Sequence, residues 1–150
     1  MAADGNRQHV DIARLESMTP PIQRPVHVLS KGTIAAAAVT DAVLILVFAG
    51  VGRDAHQRGD VVAGVFLTAW PFLAGAALGW LASKAWRNPL AVRRTGLAVW
   101  LGALAGGMVL RLLTNQTVVL PFIIVALLSL GLLLVGWRLV WAGARRLRKN

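Results

Sequence analysis

The chain contains no cysteine and no tyrosine, and it has only six acidic residues against 16 lysines and arginines in 150. Without cysteine there is no disulfide, no zinc–thiolate site and no thiol nucleophile. Charged residues of all kinds make up 15% of the sequence, where a soluble domain carries about a quarter. The 57% of residues that are hydrophobic fall in long, almost unbroken blocks. Blocks of about 18 residues or more are too long for an ordinary buried core and match the thickness of a bilayer. An ordinary soluble enzyme is excluded. The formal net charge of +10 would by itself point to nucleic acid, so its distribution decides how it is read.

Four apolar segments are present, at 32–51, 61–83, 92–113 and 118–143. At about 1.5 Å per residue, about 20 helical residues span the roughly 30 Å hydrocarbon layer. Helices also satisfy their own backbone in lipid, which irregular chain does not. The polar stretches between them are short, and short links make neighbouring helices antiparallel. The expected fold is therefore all-α: a polytopic, up-down-up-down bundle of four transmembrane helices over 32–143. Residues 1–31 read as a polar, disordered tail, because Thr19-Pro20-Pro21-Ile22-Gln23-Arg24-Pro25 cannot continue a helix. Residues 144–150 form a short basic tail.

Charge supplies the orientation. Of the 16 cationic residues, 13 lie in the N-terminal tail, at 84–94 and from Arg138 onward, together with three of the six acids. The other side holds Arg53, Arg58 and Arg111 with Asp54 and Asp60. The positive-inside rule then places both termini in the cytoplasm. The basic run Arg145-Arg146-Leu147-Arg148-Lys149 fits anionic lipid headgroups, and no nucleic-acid partner is expected.

Asp41 is the one acid inside a span. A charged carboxylate in a membrane interior costs a few kcal/mol, so it must face the bundle, find a donor or keep a proton. Two readings stay open: a proton or cation site, and a buried acid that fixes helix packing. Counting residues puts Asp41 near the midplane. Thr68, Trp70, Pro71 and Trp100 fall near the same depth, with Pro71 breaking one backbone bond and kinking its helix. These five form the candidate midplane site.

Other features carry packing or anchoring readings. Gly75-Ala76-Ala77-Leu78-Gly79 and Gly102-Ala103-Leu104-Ala105-Gly106 are GxxxG patterns, whose bare faces let backbones approach. The spacing does not say whether Gly75, Gly79, Gly102 and Gly106 pack within one chain or between two, so a homodimer is a candidate state. Arg53, Asp54, His56 and Arg111 are candidate polar contacts on the outer side, with Arg111 pairing to Asp54. Arg138, Trp137 and Trp141 read as anchors at the inner interface. No metal-ligand cluster and no nucleophile beside a base is visible, so no enzyme, metal or cofactor is expected.

Taken together, several stretches resemble the domain-of-unknown-function 3054 family over about residues 35–140. They are Asp41 followed by Phe48-Ala49-Gly50-Val51-Gly52-Arg53 and His56; Ala69-Trp70-Pro71-Phe72; Gly107-Met108-Val109-Leu110-Arg111; and Phe122-Ile123-Ile124-Val125-Ala126 with Gly136-Trp137-Arg138. That family consists of small four-helix membrane proteins of actinobacteria and haloarchaea. The resemblance implies a multi-pass protein of a prokaryotic plasma membrane and supplies no activity. The functional expectation is a proton-linked small transporter or channel subunit using Asp41. The alternative is a non-catalytic structural or accessory subunit of a membrane complex.

Overall fold

A computed structural model describes residues 30–54 and 61–148, with side chains over 30–52 and 62–148. The described residues form four long helices: α1 (Lys31–Asp54), α2 (Val61–Ser83), α3 (Val92–Leu113) and α4 (Leu120–Leu147). Each is long and apolar enough to cross a membrane. The start of α1 is set by Ser30, whose Oγ accepts the Gly32 N–H at 3.2 Å and so occupies a donor that the first turn leaves open. Helix α2 runs through Pro71, which is fully buried.

The boundaries differ from the expected ones mainly at α4. Val119 is extended (φ −115°, ψ 153°) and Pro121 sits in the first turn, where its missing N–H costs nothing, so the helix starts at Leu120. It then continues to Leu147 because Arg145 and Arg146 lie in its last turn, where cations offset the helix dipole. The link from α3 to α4 closes in a Schellman turn. Asn115 takes a left-handed φ of 55°, while the Gln116 and Asn115 N–H groups donate to the carbonyls of Arg111 and Leu112 at 2.8 and 3.3 Å.

Helices α2 and α3 approach most closely, through glycine. A Cβ placed on Gly102 would lie 2.7 Å from the Gly75 carbonyl oxygen and 2.9 Å from the Gly79 Cα; one on Gly106 would lie 2.9 Å from the Gly75 Cα. All four motif glycines therefore meet within one chain. Helix α3 accommodates this contact with two π-helical turns, at Val92–Gly96 and Gly102–Gly106. The dry core is built on Ile45, Phe48, Phe72, Val99, Leu130 and Leu134. Phe72 anchors it, edge-on to Phe48 with centroids 5.4 Å apart and tilted against Phe122 at 6.1 Å. Such aromatic pairs add about 0.5–1.5 kcal/mol each beyond the area they bury.

Candidate functional site

Asp41 lies on α1 and is 2% exposed; Arg138 lies on α4 and is fully buried. They form a bidentate ion pair, with Nη1 donating to Oδ1 at 2.8 Å and Nη2 to Oδ2 at 2.7 Å. This parallel fork is the strongest arrangement open to an arginine and a carboxylate. Two indoles complete the shell. Trp137 Nε1 donates to Oδ1 at 3.0 Å and Trp80 Nε1 to Oδ2 at 2.9 Å. Four donors occupy the roughly four lone-pair sites that a carboxylate offers.

The arginine uses four of its five N–H donors. Its Nε donates to the Pro89 carbonyl at 3.0 Å and Nη1 also donates to the Leu134 carbonyl at 2.7 Å. The guanidinium carbon sits 4.6 Å from the centroid of Trp137, a cation–π contact. Local sequence prepares each part. Asn88-Pro89 ends the short 3-10 turn of the α2–α3 link at Ala85–Arg87, which leaves the Pro89 carbonyl free, and Thr95 braces that link by donating to the Asn88 carbonyl at 2.7 Å. Gly96 leaves room for the arginine stem: a Cβ there would lie 3.2 Å from Arg138 Cδ. One ion pair thus joins α1, α2, α4 and the α2–α3 link.

This geometry separates Asp41 from the other four residues of the expected midplane site. Trp80 lies three residues before the end of α2 at Ser83, and Pro89 lies in the link just beyond it. Asp41 is the eleventh of the 24 residues of α1, halfway along its own helix, but its partners come from the end of α2, the last third of α4 and the α2–α3 link. Thr68 and Trp70 lie ten or more residues earlier on α2, about 15 Å or more away along its axis. They border a cleft with Arg111 instead. Pro71 is buried in the packing. Trp100 turns to α4, donating to the Leu127 carbonyl at 3.1 Å over the bare face of Gly131.

Arg138 and Trp137 are likewise interior partners of Asp41 and not interfacial anchors. The reason is depth: α4 runs on to Leu147, so Arg138 stands nine residues, about 13 Å, inside its end. Trp141 is exposed on the helix surface. A sequence signal for the pair did exist. Asp41 is the one acid within the spans, and a buried acid without a cation is too costly to keep.

At the far end, Arg111 is 9% exposed. Its Nη2 donates to the Thr117 carbonyl at 3.1 Å, and its guanidinium carbon lies 4.5 Å from the Phe122 centroid. Among the described residues its Nε has no hydrogen-bond partner. His56 and the side chains of Arg53 and Asp54 lie outside the described residues, and so does the expected pairing of Arg111 with Asp54.

Fold and site together define a class: an all-α chain of four membrane-length helices, whose first and last are locked by a buried ion pair. The chain belongs to the family described as Protein of unknown function (DUF3054), whose model matches residues 38–141. The matched segment contains both Asp41 and Arg138. No curated protein and no solved structure matches the chain.

Proposed function

We propose that this chain is a non-catalytic, multi-pass protein of a prokaryotic plasma membrane that serves as an accessory subunit of a membrane complex. The observation that carries this reading is the saturation of Asp41. A proton-linked carrier needs a carboxylate that gives up and regains a proton along an accessible path. Here both oxygens already accept two donors each, and the group is shut away from solvent. The arrangement supports the packing role for Asp41 and leaves the carrier reading without a geometric basis.

The end of the bundle near the ion pair supports cytoplasmic placement of both termini. Lys31, Lys84, Arg87, Arg93, Arg94, Arg145, Arg146 and Arg148 are all exposed there, and among the described residues no exposed acid offsets them. That surface suits anionic headgroups and the positive-inside orientation. The homodimer loses its original argument, because the glycine faces are already occupied within the chain.

Reconstitution tests the reading. Parent protein and Asp41→Asn are placed in liposomes loaded with a pH-sensitive dye and given a pH step. The accessory reading expects leak at the background of empty liposomes for both, with a lower melting temperature for the variant. Proton flux in the parent that a folded Asp41→Asn variant lacks would restore the carrier. Reporter fusions that find the C-terminus outside the cell would overturn the orientation.

A further inference from the structure

The far end of the bundle holds a cleft of about 520 Å³, bordered by Arg111, Thr68, Trp70 and the Thr114–Thr117 turn. It is large enough for a polar group of many atoms, since a water molecule takes about 30 Å³ of liquid volume. Arg111 is its one charged side chain among the described residues, and no acid lines it. The guanidinium is held in place from two sides, by the Thr117 carbonyl and by the face of Phe122. It remains under-satisfied: Nε is enclosed and unpartnered, and among the described residues Nη1 makes no hydrogen bond, which leaves the Nη1–Nη2 edge for a ligand.

A buried cation in a polar cleft of a membrane-length bundle carries a large desolvation cost unless an anion meets it. We infer that this cleft binds a singly charged phosphate group. Arginine presents a planar fork that matches two phosphate oxygens at once. The same cleft is lined by neutral donors: the hydroxyls of Thr68 and Thr117, the amide of Asn115, and the amide of Gln116, which already spends one N–H on Thr114 Oγ1 at 3.3 Å. The Thr114 hydroxyl is not among them, because it already donates to the Leu110 carbonyl at 2.8 Å. A planar carboxylate needs only the fork. Donors spread over two helices and a turn suit a tetrahedral oxyanion whose oxygens point several ways. One cation and no acid among the described lining residues match a single negative charge.

The backbone of the turn that carries these donors is set by its Schellman hydrogen bonds at Asn115 and Gln116. The other wall is apolar. Leu67 and Trp70 are exposed beside the polar groups at 63% and 37%, which gives a hydrocarbon chain a surface to lie on. The phosphate can therefore belong to a lipid headgroup or arrive free in solution.

Calorimetric titration of the detergent-purified full chain tests the site and separates the sources. One arm adds inorganic phosphate; the other adds short-chain phosphatidylglycerol. Saturable binding in either arm is the expected result, and the arm that responds identifies the source. A flat titration in both overturns the inference. Arg111→Gln should weaken binding by about tenfold or more, with Arg111→Lys intermediate because it keeps the charge and loses the fork. A folded Arg111→Gln variant that binds like the parent also overturns it. Should Arg111→Gln fail to fold, Thr68→Val and Gln116→Leu replace it. Each is expected to weaken binding several-fold, and unchanged affinity in both sinks the proposal. Proton flux plays no part in this readout, so the result stands apart from the accessory role.

Discussion

Arg138 and Arg111 are both buried within membrane-length helices, yet their surroundings are opposite. Arg138 makes four hydrogen bonds, two of them to a carboxylate. Arg111 makes one among the described residues, to a backbone carbonyl. Both lie over an aromatic face, so the ring is not what separates them. The acid is. Pairing turns a charge into a joint between helices, whereas a charge that lacks a described acid keeps its capacity to meet something else.

The comparison can be broken most directly at Asp41. Asp41→Ala leaves Arg138 buried without a counter-charge and should cost about 3–5 kcal/mol, read as a lower denaturation midpoint in detergent. The double variant Asp41→Leu/Arg138→Met should recover much of that loss, because removing both charges also removes the desolvation penalty. A double variant less stable than either single one would mean that the pair stabilises in its own right. Next in size, Trp80→Phe or Trp137→Phe removes one hydrogen bond to a charged group and should cost about 1.5–3 kcal/mol. Equal stability of both variants with the parent would reduce the indoles to bystanders.

Gly102→Ala forces a methyl onto the Gly75 and Gly79 backbones and should cost about 1–3 kcal/mol. Gly143→Ala meets nothing within 4 Å and should instead gain up to about 1 kcal/mol from helix propensity. Similar melting shifts for the two would argue against the close α2–α3 contact. The smallest net effect belongs to Arg111→Gln: it removes a charge-assisted bond to the Thr117 carbonyl and the contact with Phe122 but also the desolvation cost of the charge, so stability without ligand should shift by no more than about 1 kcal/mol. A loss as large as that of Asp41→Ala would place a counter-charge beside Arg111.

Much of the fold is legible in the sequence because the signals are local. Apolar run length marks four helices, and the absence of a side chain at Gly75, Gly79, Gly102 and Gly106 is itself the property that permits close approach. The candidate site is less legible because its parts are not local. Asp41 and Arg138 are 97 positions apart, and their meeting depends on the register of α1 against α4. That register depends on where each helix ends. Four additional helical residues at the end of α4 are enough to move Arg138 from a boundary to an interior depth. The π-helical turns of α3 are invisible for a related reason, since they accompany packing against α2 and are not encoded in the propensity of Gly102-Ala103-Leu104-Ala105-Gly106. Trp80 carries no local mark at all; its role appears only when α1 and α2 are side by side.

The 97-residue separation also has a consequence in time. Of the four described helices, Asp41 belongs to the first to leave the ribosome and Arg138 to the last. At about 5–20 residues per second, the acid waits about 5–20 s for its counter-charge, long enough for the first three helices to be made. During that interval α1 carries a carboxylate that lipid tolerates poorly. Trp80, on the second helix, is the earliest of its four donors to be synthesised and can hold the acid first. The ion pair forms only when the fourth helix is in place, so it closes the bundle last.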